Sequence, residues 1–556
     1  MRNIYNPFLH FSVKIWGNKI ALFLFLLNLM TNWTISLTPL FNTLQYTCYW
    51  IVISAMFATV EVAMYYLFKK IHLHNLLLVF IAFLHISLCV VDIFLYLNFN
   101  FILGQDAIDI IAQTTSTEAK SFLKTYVTSP FICCISLIII GLYWAIKKIA
   151  AVLSQRKIVA YAFMILSIMG FLLYATTIVN YILYHNGQSI PQLHAFTRTA
   201  YSSTVLLNRH NQIMALRKLN SSIKATMPSD NINTIIVIIG ESFSVYHSSL
   251  YGYNKETNPY LSKRASDNTL TTFTDVVTFA DHTEGVMCSV FPLNKQPELF
   301  FTDVLFPACF KAAGYYTILL DNQYFVGNGI TFLTDSELSR QMFDYRNTTG
   351  YQYDGEMVKD LHLKDTPQLI IIHLQGQHYT YADRYPKDFS HFTSKDYTNL
   401  TEEQKEIVAH YDNSTIYNDW VIEKIIKDVE DRDCLIVYFS DHGEEVFEID
   451  DYSGHGNAIF RPDPTYQVKV PLFIWASKAF CEKHSDKAKR IKESADKPII
   501  TSDLPHFLID VADISTEHFN AEQSFINDHY KQRNRIIINS ADYEEIKKRP
   551  RVQSRY

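Results

Sequence analysis

Apolar residues are spread unevenly along this chain, and their pattern changes near residue 185. Before that point five stretches, roughly 20–40, 49–68, 76–99, 131–146 and 158–183, are predominantly apolar. A helix of about 20 such residues crosses a bilayer's hydrocarbon core, so each stretch predicts a membrane span, the fourth being the shortest. The alternative is a buried helical bundle in a soluble protein; a cleaved signal peptide would account for the first stretch alone. From about residue 231, short β-branched runs alternate with helical periodicity, which predicts a mainly parallel sheet with crossover helices. Candidate strands are 234–239, 316–320, 368–374, 434–439 and 470–475.

Flanking charges orient the spans, because Lys and Arg are retained on the cytoplasmic side. Arg2, Lys14 and Lys19 precede the first span, Lys69 and Lys70 follow the second, and Lys147, Lys148, Arg156 and Lys157 follow the fourth. The first-to-second loop carries no charge, and the third-to-fourth mixes Asp106, Asp109 and Glu118 with two lysines. The N-terminus is therefore expected inside and everything after the fifth span outside. The expected organisation is a transmembrane domain over 1–184, linker helices over 185–230 and a catalytic domain over 231–556. Helical spacing near 100–129 reads as a helix on the outer membrane surface, carrying Thr114 and Glu118 toward the active domain, or as a solvated helix. The basic segment 185–230 reads as lying along the bilayer or as a simple linker.

A net charge of −6 gives no reason to expect nucleic acid as a partner. Of eight cysteines, Cys288, Cys309, Cys434 and Cys481 would face an oxidising compartment, and Cys288 with Cys309 is a candidate bridge. The absence of CxxC spacing argues against a cysteine zinc site.

Candidate chemistry sits at the strand ends, the edge where open α/β sheets bind ligands. Glu241 follows the first strand, Asp321, Asn322 and Gln323 the second, Gln375 to His378 the third, and Ser440 to Gly443 the fourth. Gly240 to Ser244 lacks the second glycine of a serine-hydrolase elbow. Asp441 and His442 supply an oxygen and a nitrogen, a ligand mix that zinc accepts, or else form a turn with a capping Asp. Glu241, His378 and His455 favour the metal reading. A hydroxyl attacks well only when a metal or base lowers its pKa. "TFADHTEGVMCSVFPL" offers Thr283 as fourth ligand and nucleophile, with Thr278 and Ser289 left open by spacing alone.

The blocks "GES…SLYGYNKETNPYL", "LDNQ", "HLQGQHYTYADRYP", "YDNSTIYNDWVI", "YFSDHGEE" and "GHG" together resemble, in this order, the lipid A phosphoethanolamine transferases. That family lies in the sulfatase/alkaline-phosphatase-like superfamily and includes polymyxin-resistance enzymes. The resemblance implies an α/β/α catalytic domain behind a five-helix transmembrane bundle. It implies zinc held by Glu241, Thr283, Asp441 and His442, with Thr283 accepting the phosphoethanolamine group. It implies that His378 and His455 bind substrate phosphate or a second zinc, and that Thr114 and Glu118 contact lipid. Thr257 and Asn258 match a block where a structural role is at least as well founded. The expected donor is phosphatidylethanolamine, and the expected acceptor lipid A, lipopolysaccharide core or another periplasmic glycan. A monomer in the bacterial inner membrane, with its catalytic domain in the periplasm, is expected. Only Cys288 lies near the nucleophile, unlike the paired cysteines of the polymyxin-resistance enzymes. No CxPSR-type motif is present, which argues against sulfate ester hydrolysis. A glycerol-phosphate transferase of the lipoteichoic-acid-synthase type, and a membrane sensor on a decayed catalytic domain, are the rival readings.

Overall fold

The computed structural model describes residues 19–33, 44–99, 102–104, 107–108, 111, 140–141, 143–149, 157–184, 194–293, 302–323, 335–538, 541–549 and 552–556. The chain forms two compact units, Met1–Arg209 and His210–Tyr556.

The first unit is helical, with α1 (Lys19–Trp33), α2 (Leu44–Lys69), α3 (His74–Phe99), α4 (Lys157–Tyr184) and the start of α5 (Ala195–Asn220). Among the described residues, Cys48–Lys69 and His74–Leu97 are long and apolar enough to cross a membrane, and Lys19–Trp33 and Tyr161–Thr176 are shorter apolar helices. Most of the fourth expected span, with Thr114 and Glu118, lies outside the described residues. Helix α3 exposes Leu76, Val79, Phe80, Phe83 and Leu97, a surface that water does not favour. Polar side chains turn inward and pair: Glu61 accepts from Asn28 Nδ2 at 2.7 Å and lies 2.8 Å from His85 Nε2. Arg198 holds Asp92 through both carboxylate oxygens.

The second unit is built around a seven-stranded mixed sheet. Its strands are β1 (Thr234–Gly240), β2 (Leu270–Thr272), β3 (Tyr316–Asp321), β4 (Tyr345–Arg346), β5 (Gln368–His373), β6 (Cys434–Ser440) and β7 (Leu472–Ala476). Their spatial order is β2-β7-β6-β1-β5-β3-β4. β1 is central and fully buried, as its unbroken TIIVII run predicts. Its side chains alternate between two cores. Ile235, Val237 and Ile239 pack with α7 (Thr283–Val290), α8 (Phe306–Ala313) and α10 (Leu504–Val511) on one face. Ile236 and Ile238 pack with α6 (Pro259–Ser266) and the long α9 (Glu402–Val429) on the other. A Thr401–Gln404 capping box starts α9. The result is a three-layer α/β/α arrangement.

Two expectations are corrected. The strand placed at 470–475 runs antiparallel to β6, with Leu472 opposite Phe439, and pairs β2 antiparallel on its other side. The Ser440 amide donates to Pro471 O at 3.2 Å, so the chain re-enters the sheet at the end where β6 left it. A strand entering there must run antiparallel to its neighbour. Hydropathy carries no sign of direction. Cys309 is a free thiol, so it forms no bridge with Cys288. Cys309 points into the α8 core, and burial pushes its thiol up to about 12.

A charged knot ties the loops above the sheet on the α9 side. His247, fully buried, lies 2.6 Å from Asp412 Oδ1 and 3.1 Å from Glu448 Oε1. Burial would push its imidazolium down, but Asp412 and Glu448 outweigh it and raise the group to about 10. Tyr253, Tyr411 and Tyr556 pack around the ring. A raised histidine stabilises the fold fully below its unfolded pKa near 6.5 and loses that contribution as pH climbs through about 10. Denaturant midpoints are therefore expected to fall between pH 6.5 and about 10. His247→Gln, which leaves two buried carboxylates without a cation, is expected to cost roughly 3–5 kcal/mol at pH 7 and to flatten that slope.

Candidate functional site

Strand register builds the centre of the site. β1 and β6 are adjacent and parallel with Gly240 opposite Ser440, so the next residues, Glu241 and Asp441, leave the sheet side by side. Gly240 permits this approach, because a Cβ there would meet the Tyr438 hydroxyl at 2.0 Å. Both carboxylates are wholly buried, as is His442, whose Nε2 lies 3.3 Å from Glu241 Oε1 and 3.3 Å from Asp441 Oδ2. Asp441 Oδ1 accepts the amides of Ser242 at 3.0 Å and His442 at 2.7 Å.

Burial would raise the Glu241 carboxyl, but the His442 imidazole outweighs it and holds the group well below the usual carboxylate range. Burial, and then the Glu241 charge, push Asp441 up to about 7. Against its own burial, His442 is raised to about 10 by Asp441 and Glu241. Asp441 Oδ2 and His442 Nε2 have no hydrogen-bond partner although both are buried. Two carboxylates and an imidazole, with unpartnered atoms turned on one point, fit a divalent cation. Among the described residues, Glu241, Asp441 and His442 offer ligand atoms within 4.8 Å of one another, as do His442, Glu444 and His455.

Thr283 opens α7, and its Oγ1 donates to Glu241 Oε2 at 3.1 Å. The other two hydroxyls in its block point elsewhere: buried Ser289 donates to Val286 O within the helix, and buried Thr278 receives Thr501 Oγ1. The N-terminal end of α7 favours negative charge beside Thr283.

The remaining expected residues come from two loops. His455 Nδ1 lies 2.6 Å from Glu444 Oε2, and its ring centroid lies 4.0 Å from that of His442. His378 is half-buried and electrostatically coupled to Glu241, His442 and His455; burial pushes it down to about 3, so it is neutral at pH 7. Thr257 and Asn258 serve the loop after β1, where Thr257 Oγ1 donates to His247 O and Asn258 Oδ1 accepts from Ser248.

Three contacts escaped sequence reasoning. Gln323 Nε2 donates to Glu241 Oε2 at 2.9 Å, and Ser242 Oγ to Glu241 Oε1 at 2.8 Å. Tyr381 donates to Glu444 Oε1 at 2.5 Å. All three residues lie inside or beside motif blocks, but only the fold aims them. Ser242 takes a left-handed φ of 56°, held by the Tyr411 hydroxyl on its carbonyl at 2.5 Å. Gly376, at φ 46°, lets the next loop close on Glu241, whose backbone nitrogen would lie 2.9 Å from a Cβ there.

This geometry defines a class: an α/β/α domain with an acidic, histidine-bearing metal-type site at the carboxyl ends of parallel strands. A family model described as Sulfatase matches residues 233–514, just over half of the chain, and the chain belongs to the sulfatase family. Phosphoethanolamine transferase EptC of Escherichia coli O18:K1:H7 is 31% identical over 355 residues, 61% of this chain and 60% of that protein. Phosphoethanolamine transferase CptA of Salmonella typhimurium is 28% identical over 353 residues, 59% of this chain and 60% of that protein. The chain thus spans about 60% of the length of the curated relatives it matches. The C-terminal periplasmic domain of the Escherichia coli EptC, solved in complex with zinc, aligns with TM-score 0.51 and 29% identity over 58% of this chain and 96% of that one. The integral membrane protein EptA of Neisseria meningitidis shares the fold over 92% of this chain and 97% of that one, at 17% identity and TM-score 0.58.

With Asp441→Asn, the metal-free protein is expected to become more stable by about 1 kcal/mol, because one of two adjacent buried charges is gone. The same variant is expected to lose the thermal shift that zinc gives the wild type. Differential scanning fluorimetry in chelator and in added zinc reads both.

Proposed function

We propose that the chain is a membrane-bound, zinc-dependent phosphoethanolamine transferase. The observation that carries this reading is the Thr283 hydroxyl set 3.1 Å from Glu241, beside the unpartnered Asp441 Oδ2 and His442 Nε2. Similarity to EptC and CptA supports the group transferred. Phosphatidylethanolamine is the donor, and the acceptor is lipid A, lipopolysaccharide core or another periplasmic glycan. Multi-pass insertion in the bacterial inner membrane, with residues 231–556 in the periplasm as catalytic domain, belongs to the same proposal. The apolar α2 and α3 and the likeness in fold to an integral membrane protein support it.

Glu241, Asp441, His442 and the Thr283 oxygen are the groups that would hold the metal. When bound, zinc supplies Lewis acidity that lowers the hydroxyl's pKa and offsets phosphoryl charge. Glu241 Oε2 accepts the Thr283 proton's hydrogen bond, and Gln323 and Ser242 keep that carboxylate in place. Thr283 Oγ1 attacks the donor phosphorus; the bond from phosphorus to the glycerol oxygen breaks, and diacylglycerol leaves carrying the proton. An acceptor oxygen then attacks the same phosphorus, and its proton returns to Thr283. Neutral His378 and the oriented His455 bind phosphoryl oxygens, where charge stabilisation matters most in phosphoryl transfer. The polar lipid-side roles of Thr114 and Glu118 belong to this proposal as well.

Intact mass after incubation with phosphatidylethanolamine is expected to rise by one phosphoethanolamine unit on wild type and not on Thr283→Ala. Turnover of the variant is expected to fall by roughly four orders of magnitude or more, as when other catalytic nucleophiles are deleted. An adduct on both proteins would move the nucleophile elsewhere. An adduct formed only from phosphatidylglycerol would favour the glycerol-phosphate reading.

A further inference from the structure

We propose that Tyr556 is a positioning residue for the transfer, holding the hairpin that carries Glu444 and His455 in register beside His442. The role rests on the transferase reading above; the contacts do not.

The hairpin is minimal. Glu445–Val446 pairs antiparallel with Ser453–Gly454, with Val446 opposite Ser453 and Glu445 opposite Gly454. One further step along that register sets Glu444 opposite His455, which is where their 2.6 Å contact forms. Glu444 spends its other oxygen on the Tyr381 hydroxyl, so it fixes the orientation of the His455 ring. A slip of one residue would turn Glu444 to the other face and break this contact. Two paired positions, with one further bond from the Phe447 amide to Tyr452 O at 3.0 Å, are too few to hold register unaided.

Outside groups help hold it: Arg461 grips Glu445 and Asp450, and a second set converges on Val446. The Tyr556 hydroxyl donates to Val446 O at 2.5 Å, and the Val446 amide donates to Glu448. The Tyr556 oxygen lies 3.1 Å from His247 Nε2, which also faces Glu448 Oε1. His247 Nδ1 meets Asp412, whose second oxygen accepts from Tyr253 at 2.9 Å and Tyr397 at 2.5 Å. Asp412 follows Tyr411 on α9, and Tyr411 holds Ser242 beside Glu241. One turn of one helix is thus the common anchor for the Glu241 loop and, through His247 and Tyr556, for the hairpin. Segment 552–556 also lies on the hairpin by a main-chain bond and an ion pair: the Arg555 amide donates to Glu448 O at 2.9 Å, and Arg555 Nη1 pairs with Asp451. The Tyr556 ring packs on the cluster of Tyr381, Tyr397, Tyr411 and Val446.

The test compares full-length wild type, Tyr556→Phe and Tyr556→Ala in detergent. It reads hydrogen exchange of the 443–456 peptides, the kcat and KM for phosphatidylethanolamine, and the thermal midpoint. Tyr556→Phe keeps the ring and removes only the hydroxyl. Its 443–456 amides are expected to exchange about threefold to tenfold faster, the span of one hydrogen bond. Its kcat is expected to fall by a similar factor with KM unchanged and the thermal midpoint lowered by only about 2–4 °C, and Tyr556→Ala to go further in the same direction. Unchanged exchange would overturn the proposal, as would faster exchange with full kcat. Acceleration spread evenly over the sheet would also overturn it, since it would mark general destabilisation. A wild type that forms no phosphoethanolamine adduct would sink the transferase reading, while the exchange arm still decides whether Tyr556 holds the hairpin.

Discussion

The structure depends on a juxtaposition of like charges. Two parallel strands in register deliver Glu241 and Asp441 to the same point, without solvent, and His442 lies 3.3 Å from both. Buried carboxylates so close need a cation or a proton between them. Backbone amides satisfy one oxygen of Asp441, while Gln323, Ser242 and Thr283 satisfy Glu241. What lacks a hydrogen bond is Asp441 Oδ2 and His442 Nε2, 3.3 Å apart, a pair of atoms that fits a cation.

Much of the surrounding loop structure resists relaxation of that arrangement. Ser242 stands in a left-handed conformation, Gly376 closes against the Glu241 backbone, and the Tyr411 hydroxyl clamps the carbonyl between them. Left to itself, the Glu241 side chain would swing toward water and lower the repulsion. The aromatic and charged knot of His247, Asp412, Glu448 and Tyr556 ties down a second loop, so His455 stays packed against His442. The fold thus spends buried ion pairs, which contribute little net stability, on geometry.

The helical unit follows a different economy. Its outward side chains on α3 are apolar, and its polar ones, Asn28, Glu61, His85, Asp92 and Arg198, pair inside. An ionised group in a low-dielectric interior is tolerated only with such partners. The same rule shapes both units, applied to the helix interior in one and to the strand ends in the other.

By itself the sequence determined the strand centres, because an unbroken β-branched run such as Thr234 to Ile239 has few other uses. It also determined the strand-end chemistry of Glu241, Asp441 and His442, since polar residues directly after such runs emerge at one sheet edge. It left Thr283, Thr278 and Ser289 equivalent, and only the fold separates them: Thr283 opens a helix facing Glu241, while the other two hydroxyls turn into the packing. The direction of β7, the free thiol of Cys309, and the contacts of Gln323, Tyr381 and Tyr556 were likewise decided by tertiary structure. The physical reason is common to all of them. Hydropathy and residue type record which surfaces must be buried and which chemistry is present, but a hydrogen bond between residues 446 and 556 depends on where the chain returns, and local pattern carries no memory of that return.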